Sequence, residues 1–294
     1  MKLAALARYL LLFFAANLLA RAEDGYRLWL RYEPVADEAL RAAYTQALGR
    51  VSFELPEGRT WSPALTSAVS ELQTGLSGLL GHKVAIDTVA ESLAQPVPGG
   101  DEAYAIRLEQ GSVPRVVIAA NRDVGAIYGA FALLRQLQTA RPVAELEGLA
   151  GAPRIKRRML NHWDNLTGTV ERGQAGHSLW KWFELPEVVD PRYVDYARAC
   201  ASVGLNGTVL NNVNANATIL TEPYLLKVAA LANVFRSYGV RVYLTARFSA
   251  PKEIGGLPTA DPLDPAVAAW WKNKVDEIYR HVPDFGGFLV KANS

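Results

Sequence analysis

Residues 207–249 read GTVLNNVNANATILTEPYLLKVAALANVFRSYGVRVYLTARFS, and this stretch decides the fold. A short apolar strand pattern is followed by a helix pattern, then by a second apolar strand pattern. Pro223 lies in the first turn of the predicted helix, where the missing N–H costs nothing, and Gly239 is placed to end it. Two apolar strands joined by a helix are typical of a parallel sheet buried on both faces. The stretch therefore predicts a β-α-β unit.

The same rhythm extends in both directions from this stretch. Strand patterns at residues 155–165 and 286–293 and helix patterns at 190–204 and 264–282 extend it to β-α-β-α-β-α-β. No G-x-G-x-x-G turn follows the first strand, which argues against a dinucleotide site. Four such strands fit either an open doubly wound sheet or half of a (β/α)8 barrel.

Polar side chains gather where the predicted strands end, and a barrel places its active site on that edge. Indole rings stack on sugar C–H faces, while amide, carboxylate and guanidinium groups bond hydroxyls or carboxylates. The pattern favours half a barrel with a binding site, although a capped structural loop would also explain the first cluster. The candidates are His162, Trp163, Asp164, Glu171, Arg172, Asn211, Asn212, Arg247, Lys291 and Asn293.

Residues 23–152 predict a separate small α/β domain ahead of residues 153–294. Strands are expected at 26–32, 83–87, 104–109 and 115–120, with Asn121 as the N-cap of a helix over 122–139. We expect Pro56 and Pro63 to interrupt regular structure, and the Gly- and Pro-containing segment 145–153 to close the domain.

Residues 1–22 predict a secretory signal peptide and hence export. A basic start, the 12-residue apolar run YLLLFFAANLLA and the small residues Ala20 and Ala22 fit cleavage after Ala22. We expect no stable membrane insertion once the segment is removed. Its loss leaves 28 basic against 29 acidic residues, a balance that does not suggest nucleic acid binding. The single cysteine, Cys200, excludes a disulfide within the chain and is expected to be a buried thiol.

Four segments in order resemble the α-glucuronidases of glycoside hydrolase family 67. They are EDGYRLWLRY at 23–32, LNHWDNLTGTVERG at 160–173, GLNGTVLNNVNAN at 204–216 and GGFLVKANS at 286–294. The resemblance implies a small α/β domain like that of hexosaminidases, then a (β/α)8 catalytic barrel, of which this chain would hold the first half, truncated after its fourth strand. It also implies removal of glucuronic acid or its 4-O-methyl ether from xylan fragments, that is, glucuronoxylan-derived oligosaccharides.

The resemblance also implies roles for particular residues. Trp163 matches the indole that packs against the uronic acid, Val213 a residue near the 4-O-methyl group, and Lys291 a basic contact to the uronate. The family's general acid would follow Ser294 and its general base would lie farther on, so no catalytic residue is expected within the chain. Inverting hydrolysis needs both groups, so we expect this chain by itself to be inactive.

The leading hypothesis is therefore an inverting α-1,2-glucuronidase, present as its N-terminal portion. A secreted carbohydrate-binding protein without catalysis is the alternative, and a hexosaminidase-like enzyme is a third that the segments at 160–173 and 286–294 do not support. We expect no metal ion and no cofactor. A homodimer is expected only for the full-length family member, through a helical C-terminal region.

Overall fold

The computed structural model describes residues 24–58, 61–87, 91–214 and 216–290. The predicted signal peptide, Lys291 and Asn293 lie outside the described residues. Within the described ranges no helix is both long and apolar enough to cross a bilayer.

A six-stranded mixed sheet forms the first unit. Strand order is β2-β1-β5-β4-β6, with β3 also paired to β1; β4 runs antiparallel to both of its neighbours, and the other pairs are parallel. The elements are α1 (Glu38–Ala47), β1 (Arg50–Leu55), α2 (Pro63–Leu80), β2 (Ala85–Ile86), β3 (Glu91–Ser92), β4 (Tyr104–Glu109), β5 (Arg115–Ala120), α3 (Asp123–Gln138), a 3-10 turn (Val143–Leu146) and β6 (Ala150–Gly151).

Helices α2 and α3 pack closely against each other in the core of this unit. A Cβ at Gly75 of α2 would lie 2.5 Å from a methyl carbon of Leu134 on α3, so the absence of a side chain permits the approach. Leu72, Leu76 and Phe131 are buried in the same apolar cluster. Burial of apolar surface on this scale is the main force that holds such a unit together.

The predictions for the strands of this unit were partly confirmed. Strands β4 and β5 have the predicted bounds. The predicted strand at 26–32 was wrong: the segment forms successive turns, with Leu28 N bonded to Gly25 O and Leu30 N to Arg27 O. Leu28 and Tyr32 have φ values of 52° and 54°, which an extended strand cannot accommodate. Of the alternating apolar residues, Leu30 and Tyr32 are buried in the core, whereas Tyr26 and Leu28 are about half exposed, so the alternation does not mark one buried face.

Three further expectations for this unit need correction. The sequence patterns did not indicate β1, a central strand. Pro63 does not break the chain but opens α2, where Ser62 caps the helix by accepting from Leu65 N at 3.2 Å. Asn121 is not the N-cap of α3: its side chain bonds the backbone of Val97 in both directions, at 2.7 and 2.6 Å.

A four-stranded parallel sheet in the order β10-β9-β8-β7 forms the second unit, which confirms the predicted alternation of strands and helices. The strands are shorter than predicted because backbone pairing between neighbouring strands ends where the polar loops begin. The elements are β7 (Met159–Asn161), α4 (Arg192–Ser202), β8 (Gly207–Val209), a 3-10 turn (Ala217–Leu220), α5 (Glu222–Arg236), β9 (Arg241–Thr245), α6 (Ala250–Glu253), α7 (Pro265–His281) and β10 (Gly287–Leu289).

Helices α4, α5 and α7 all contribute to one apolar cluster with this sheet. Val242 and Leu244 of β9 point into that cluster together with Phe235 of α5. Tyr243, which alternates with them, points to the opposite face, where its ring lies against Gly207 of β8 and Gly286, the residue before β10. The described helices therefore cover one face of the sheet and leave the other to strand side chains.

The two units are joined by a buried ion pair. Arg198 of α4 donates to both carboxylate oxygens of Glu71 on α2 at 2.7 Å, and the Tyr32 hydroxyl donates to the same carboxylate at 2.6 Å. Trp29 adds a bond from its indole N–H to the Ser202 hydroxyl at 3.2 Å. Because these groups are buried together, the contact between the units is specific in geometry.

Candidate functional site

Loops after β7, β8 and β9 are hydrogen-bonded to one another at the carboxyl edge of the parallel sheet. His162 N extends the β7–β8 ladder by donating to Val209 O at 3.1 Å. Asn212 N, after β8, donates to Asp164 O in the loop after β7 at 2.8 Å. Thr245 N, at the end of β9, donates to the side chain of Asn211 at 2.9 Å. The predicted strand-end residues that the structure describes on these three loops therefore share one continuous rim.

Asp164 is the anchor of the first loop. The residue is 3% exposed, and its Oδ1 accepts from the Ser178 hydroxyl at 2.5 Å and from Leu179 N at 2.8 Å. Its Oδ2 lies 3.4 Å from Nδ1 of His162. Burial by itself would raise the pKa of Asp164, but the hydrogen bonds from His162, Ser178 and Leu179 outweigh burial and leave the pKa lowered. Asp164 is therefore a carboxylate at neutral pH.

A chain of hydrogen bonds continues from Asp164 through His162 into the sheet. Nε2 of His162 lies 2.8 Å from the Tyr196 hydroxyl, which lies 2.8 Å from the Thr208 hydroxyl on β8. The imidazole also packs edge-to-face on buried Trp180, with ring centroids 5.2 Å apart. Both neighbours of Trp163 are thus fixed in position.

Trp163 itself remains accessible, at 38% exposure. Its carbonyl oxygen accepts from Glu171 N at 2.9 Å and from the Asn212 side chain at 3.3 Å, so its backbone is fixed on both sides. An accessible indole on a fixed backbone at a strand end is suited to stacking against an apolar face of a ligand.

The two asparagines on the loop after β8 hold the rim together. Asn211 is buried and exchanges bonds with the Thr245 backbone, accepting at 2.9 Å and donating at 3.0 Å. Asn212 is buried and donates to Asn165 Oδ1 at 3.0 Å and to Glu171 O at 3.1 Å. Although both were predicted to bind substrate, their side chains face other parts of the protein, because buried amides need partners.

Glu171 and Arg172 lie on the outer part of the first loop. Glu171 has a left-handed backbone, with φ of 59°, and its carboxylate lies 3.6 Å from the exposed guanidinium of Arg172. Both side chains reach solvent.

The remaining predicted residues have less support from neighbours. Arg247, after β9, is half exposed and lies 3.4 Å from Glu253. Val213 is partly buried beside Asn212. Lys291 and Asn293 lie outside the described residues; the strand that precedes them ends at Leu289, level with Thr245.

Sequence reasoning missed the residues that support the site. Ser178, Trp180, Tyr196 and Thr208 hold Asp164 and His162 in place, but they come from a distant part of the loop, from α4 and from β8. The aromatic spacing in LWKW at 179–182 was the available signal, because two indoles so close in a loop indicate local burial.

Among the carboxylates of the rim, that of Asp164 is not accessible to a ligand. Asp164 is buried and fully bonded, and a general acid must reach the leaving oxygen. No group of three or more metal-ligating side chains occurs in the part of the chain that the structure describes. The rim as described can bind and orient a polar ligand.

Known proteins with similar sequences are fungal α-glucuronidases. "Probable alpha-glucuronidase A" of Aspergillus terreus is 36% identical over 93% of this chain, and "Alpha-glucuronidase A" of Emericella nidulans is 36% identical over 97%. "Alpha-glucuronidase" of Hypocrea jecorina is 35% identical over 97%. The chain spans about a third of the length of these relatives, 34 to 36%.

Two solved structures share the fold at low sequence identity. A family GH138 enzyme targeting pectin rhamnogalacturonan II aligns with a TM-score of 0.55 and 17% identity, over 82% of this chain and 30% of that one. A family GH115 4-O-methyl-alpha-glucuronidase aligns with a TM-score of 0.51 and 13% identity, over 83% of this chain and 37% of that one. These likenesses concern the fold alone.

Two family profiles match the chain, one within the first unit and one over the end of the first unit and the whole second unit. The profile of the glycosyl hydrolase family 67 N-terminus matches residues 28–97. The profile of the glycosyl hydrolase family 67 middle domain matches residues 136–294, which include the whole described rim. On these matches the chain belongs to glycosyl hydrolase family 67, whose similar members named above are α-glucuronidases.

Proposed function

We propose that a protein carrying this chain is an α-glucuronidase that removes α-1,2-linked glucuronic acid, or its 4-O-methyl ether, from xylo-oligosaccharides with inversion. Its substrates would be glucuronoxylan-derived oligosaccharides. Because the chain spans about a third of its relatives, the activity is proposed for a longer protein that contains it.

The second unit has the features of the first half of a (β/α)8 barrel. Its strands follow one another in order and all run parallel. A doubly wound sheet carries helices on both faces, whereas a barrel carries them only on the outside. The single apolar cluster of α4, α5 and α7 on one face, with Tyr243 on the other, supports the barrel.

The observation that carries the proposal is the accessible indole of Trp163 between two fixed neighbours. A stacked sugar ring gains from a platform that does not have to be ordered on binding. The Asp164 carboxylate, held by His162, Ser178 and Leu179, supplies that rigidity. In this arrangement Trp163 would bind the uronic acid, and Asp164 would hold the loop.

Recognition of the uronate would fall to cations at the same edge. Lys291 is proposed for this contact through the family resemblance, since an ammonium group pairs well with a carboxylate. Arg247 and Arg172 are further candidates, because both guanidinium groups reach solvent at the rim. The acid and base of the reaction would come from residues beyond this chain. We further propose export through the N-terminal signal and a homodimer of the longer protein.

The test uses a longer protein that contains this chain and measures its release of glucuronic acid. Proton NMR during hydrolysis of an aldouronic acid should show the β-anomer first, as inversion of an α-linkage requires. Trp163→Ala should lower kcat/KM by about 5- to 150-fold, since a stacked indole contributes roughly 1–3 kcal/mol. Trp61→Ala is the matched control, because Trp61 is 40% exposed but lies on the first unit.

Retained activity in Trp163→Ala would remove Trp163 from the site. Binding of the aldouronic acid without any hydrolysis would favour the carbohydrate-binding alternative.

A further inference from the structure

A cavity of about 710 Å³ lies between the two units, away from the strand-end rim. It is bounded by the turns at 26–32, by helix α2, by helix α4 and by Tyr238. Tyr238 precedes β9, so the cavity reaches the amino edge of the parallel sheet, opposite the rim. Cavities of several hundred Å³ at a junction between domains are a common setting for small ligands.

The floor of the cavity is polar, buried and rigid. Glu71 accepts twice from Arg198 at 2.7 Å and once from the Tyr32 hydroxyl at 2.6 Å. The guanidinium of Arg198 also lies 5.6 Å from the centroid of the Tyr32 ring. Because the charges of Glu71 and Arg198 cancel, the floor fixes the shape of the cavity and contributes no net charge.

The lining of the cavity carries a net positive charge, because Arg27, Arg31 and Arg198 outnumber Glu71 and Asp195. The exposed guanidinium of Arg27 forms no ion pair with a carboxylate in the described ranges of the chain. The facing carboxylate, Asp195, already accepts from the Tyr26 hydroxyl at 2.8 Å. A guanidinium fork presents two parallel N–H donors, which match a carboxylate group.

The walls combine apolar faces with hydroxyl groups. Tyr26 and Leu28 are exposed at the cavity, at 52% and 53%, and Ser70 and Thr74 of α2 present hydroxyls. Sugars need this mixture, since their C–H faces pack on rings while their hydroxyls exchange hydrogen bonds.

The backbone around the cavity adds an independent observation. Leu28 and Tyr32 both adopt left-handed conformations, with φ of 52° and 54°. Such conformations are unfavourable for side chains of this size and gather at sites that bind ligands. Tyr32 is buried against Glu71, but Leu28 is exposed, so packing does not account for its conformation.

We propose that this cavity is a second saccharide site, which binds a short acidic oligosaccharide through its carboxylate at Arg27. The volume admits a ligand of a few sugar rings, and the net positive charge of the lining favours one that carries a uronate. The site shares no lining residue with the rim and needs no hydrolysis to be occupied. In a longer enzyme it would hold acidic oligosaccharide on the first unit, away from the reacting bond.

The test measures binding of two probes to the 294-residue chain by calorimetry. The probes are xylotriose carrying one glucuronic acid and unsubstituted xylotriose, each titrated into a Trp163→Ala background so that the rim is disabled. We expect the acidic probe to bind at least tenfold more tightly than the neutral one. Arg27→Gln should abolish that difference, whereas Arg280→Gln, a matched change at an exposed position of α7, should preserve it.

A second variant tests the location of the site. Thr74→Trp places a large side chain at the cavity from an exposed helix position and should weaken binding of the acidic probe at least tenfold. Thr45→Trp makes the same change on the exposed face of α1 and should leave binding unchanged. Unchanged circular dichroism confirms that each variant folds.

Two outcomes would overturn the proposal. One is equal affinity of the acidic probe for Thr74→Trp and Thr45→Trp. The other is binding that occurs with the wild-type chain and disappears in Trp163→Ala, which would place the saccharide at the rim. The proposed function is tested by a different measurement, the release of glucuronic acid, which should depend on Trp163 and not on Thr74. Its failure is therefore distinguishable from failure of the second site.

Discussion

Replacing Asp164 with asparagine tests whether this carboxylate holds the first loop. Oδ1 accepts from Ser178 and Leu179, and Oδ2 faces His162 at 3.4 Å. An amide can keep the first oxygen as an acceptor, but it replaces the second with an NH2 group and removes the charge. Loss of one charge-assisted bond at a buried site corresponds to about 1.5–3 kcal/mol. We therefore expect Asp164→Asn to lower the free energy of unfolding by that amount.

The assay is urea unfolding monitored by tryptophan fluorescence, which reports on the loop because Trp180 packs against His162. At about 2–4 °C per kcal/mol for a chain of this size, the melting temperature should fall by about 3–12 °C. Asp276→Asn is the matched control: its carboxylate is exposed and pairs with Lys272 on the same helix at 2.7 Å. An exposed pair of this kind contributes about 0.5 kcal/mol or less.

The difference between wild type and Asp164→Asn should also depend on pH. Because the pKa of Asp164 is lowered in the folded state, its contribution is complete above the unfolded value of about 4. It is lost as the pH falls through the folded pKa, which lies lower. Equal stability of Asp164→Asn and Asp276→Asn at pH 7, or a difference that grows as the pH falls, would refute this account of the loop.

Three further predictions concern other parts of the chain. Glu71→Ala should lower the free energy of unfolding by about 3–5 kcal/mol, because it leaves Arg198 buried without its partner. In urea unfolding, the double variant Glu71→Ala/Arg198→Ala should lose less free energy of unfolding than the sum of the two single variants, and strict additivity would contradict the ion pair. Burial raises the pKa of Cys200 to about 11, so a disulfide reagent at pH 8 should label this thiol only as fast as the chain unfolds. Labelling at the rate of a free thiol would contradict its burial. Asn121→Ala should lower the free energy of unfolding by about 1–3 kcal/mol, because it leaves backbone groups of Val97 unpaired. A variant with the melting temperature of the wild type would show that these two hydrogen bonds do not stabilise the chain.

Local patterns were enough to predict most of the second unit. The apolar strands before Asn211 and Arg247 and the helix between them are encoded by short runs with helix signals at Pro223 and Gly239. Parallel strands place their carboxyl ends on one edge, so the rim position of Trp163 followed from strand order. Trp163 and Val213, two residues that the family resemblance singles out, lie in loops at that same edge.

The first unit shows where local patterns mislead. The alternation in residues 26–32 imitated a strand, but the segment folds into turns that bury Trp29 and Tyr32 against helix α3 and Glu71. Pro63 was predicted to interrupt regular structure, but it opens helix α2, which Ser62 caps. For residues 26–32 the deciding contacts come from residues distant in sequence, which no local pattern specifies.

The sequence by itself determined the alternation of strands and helices, the edge on which the polar residues gather and the family resemblance, because each depends on neighbours along the chain. Only the tertiary structure decided which of those polar residues remain accessible. Asp164, Asn211 and Asn212 became supports because buried polar groups must find partners, and those partners, such as Ser178 and Thr245, arrive from other parts of the chain. The same long-range packing joined Glu71 to Arg198 and formed the cavity between the units.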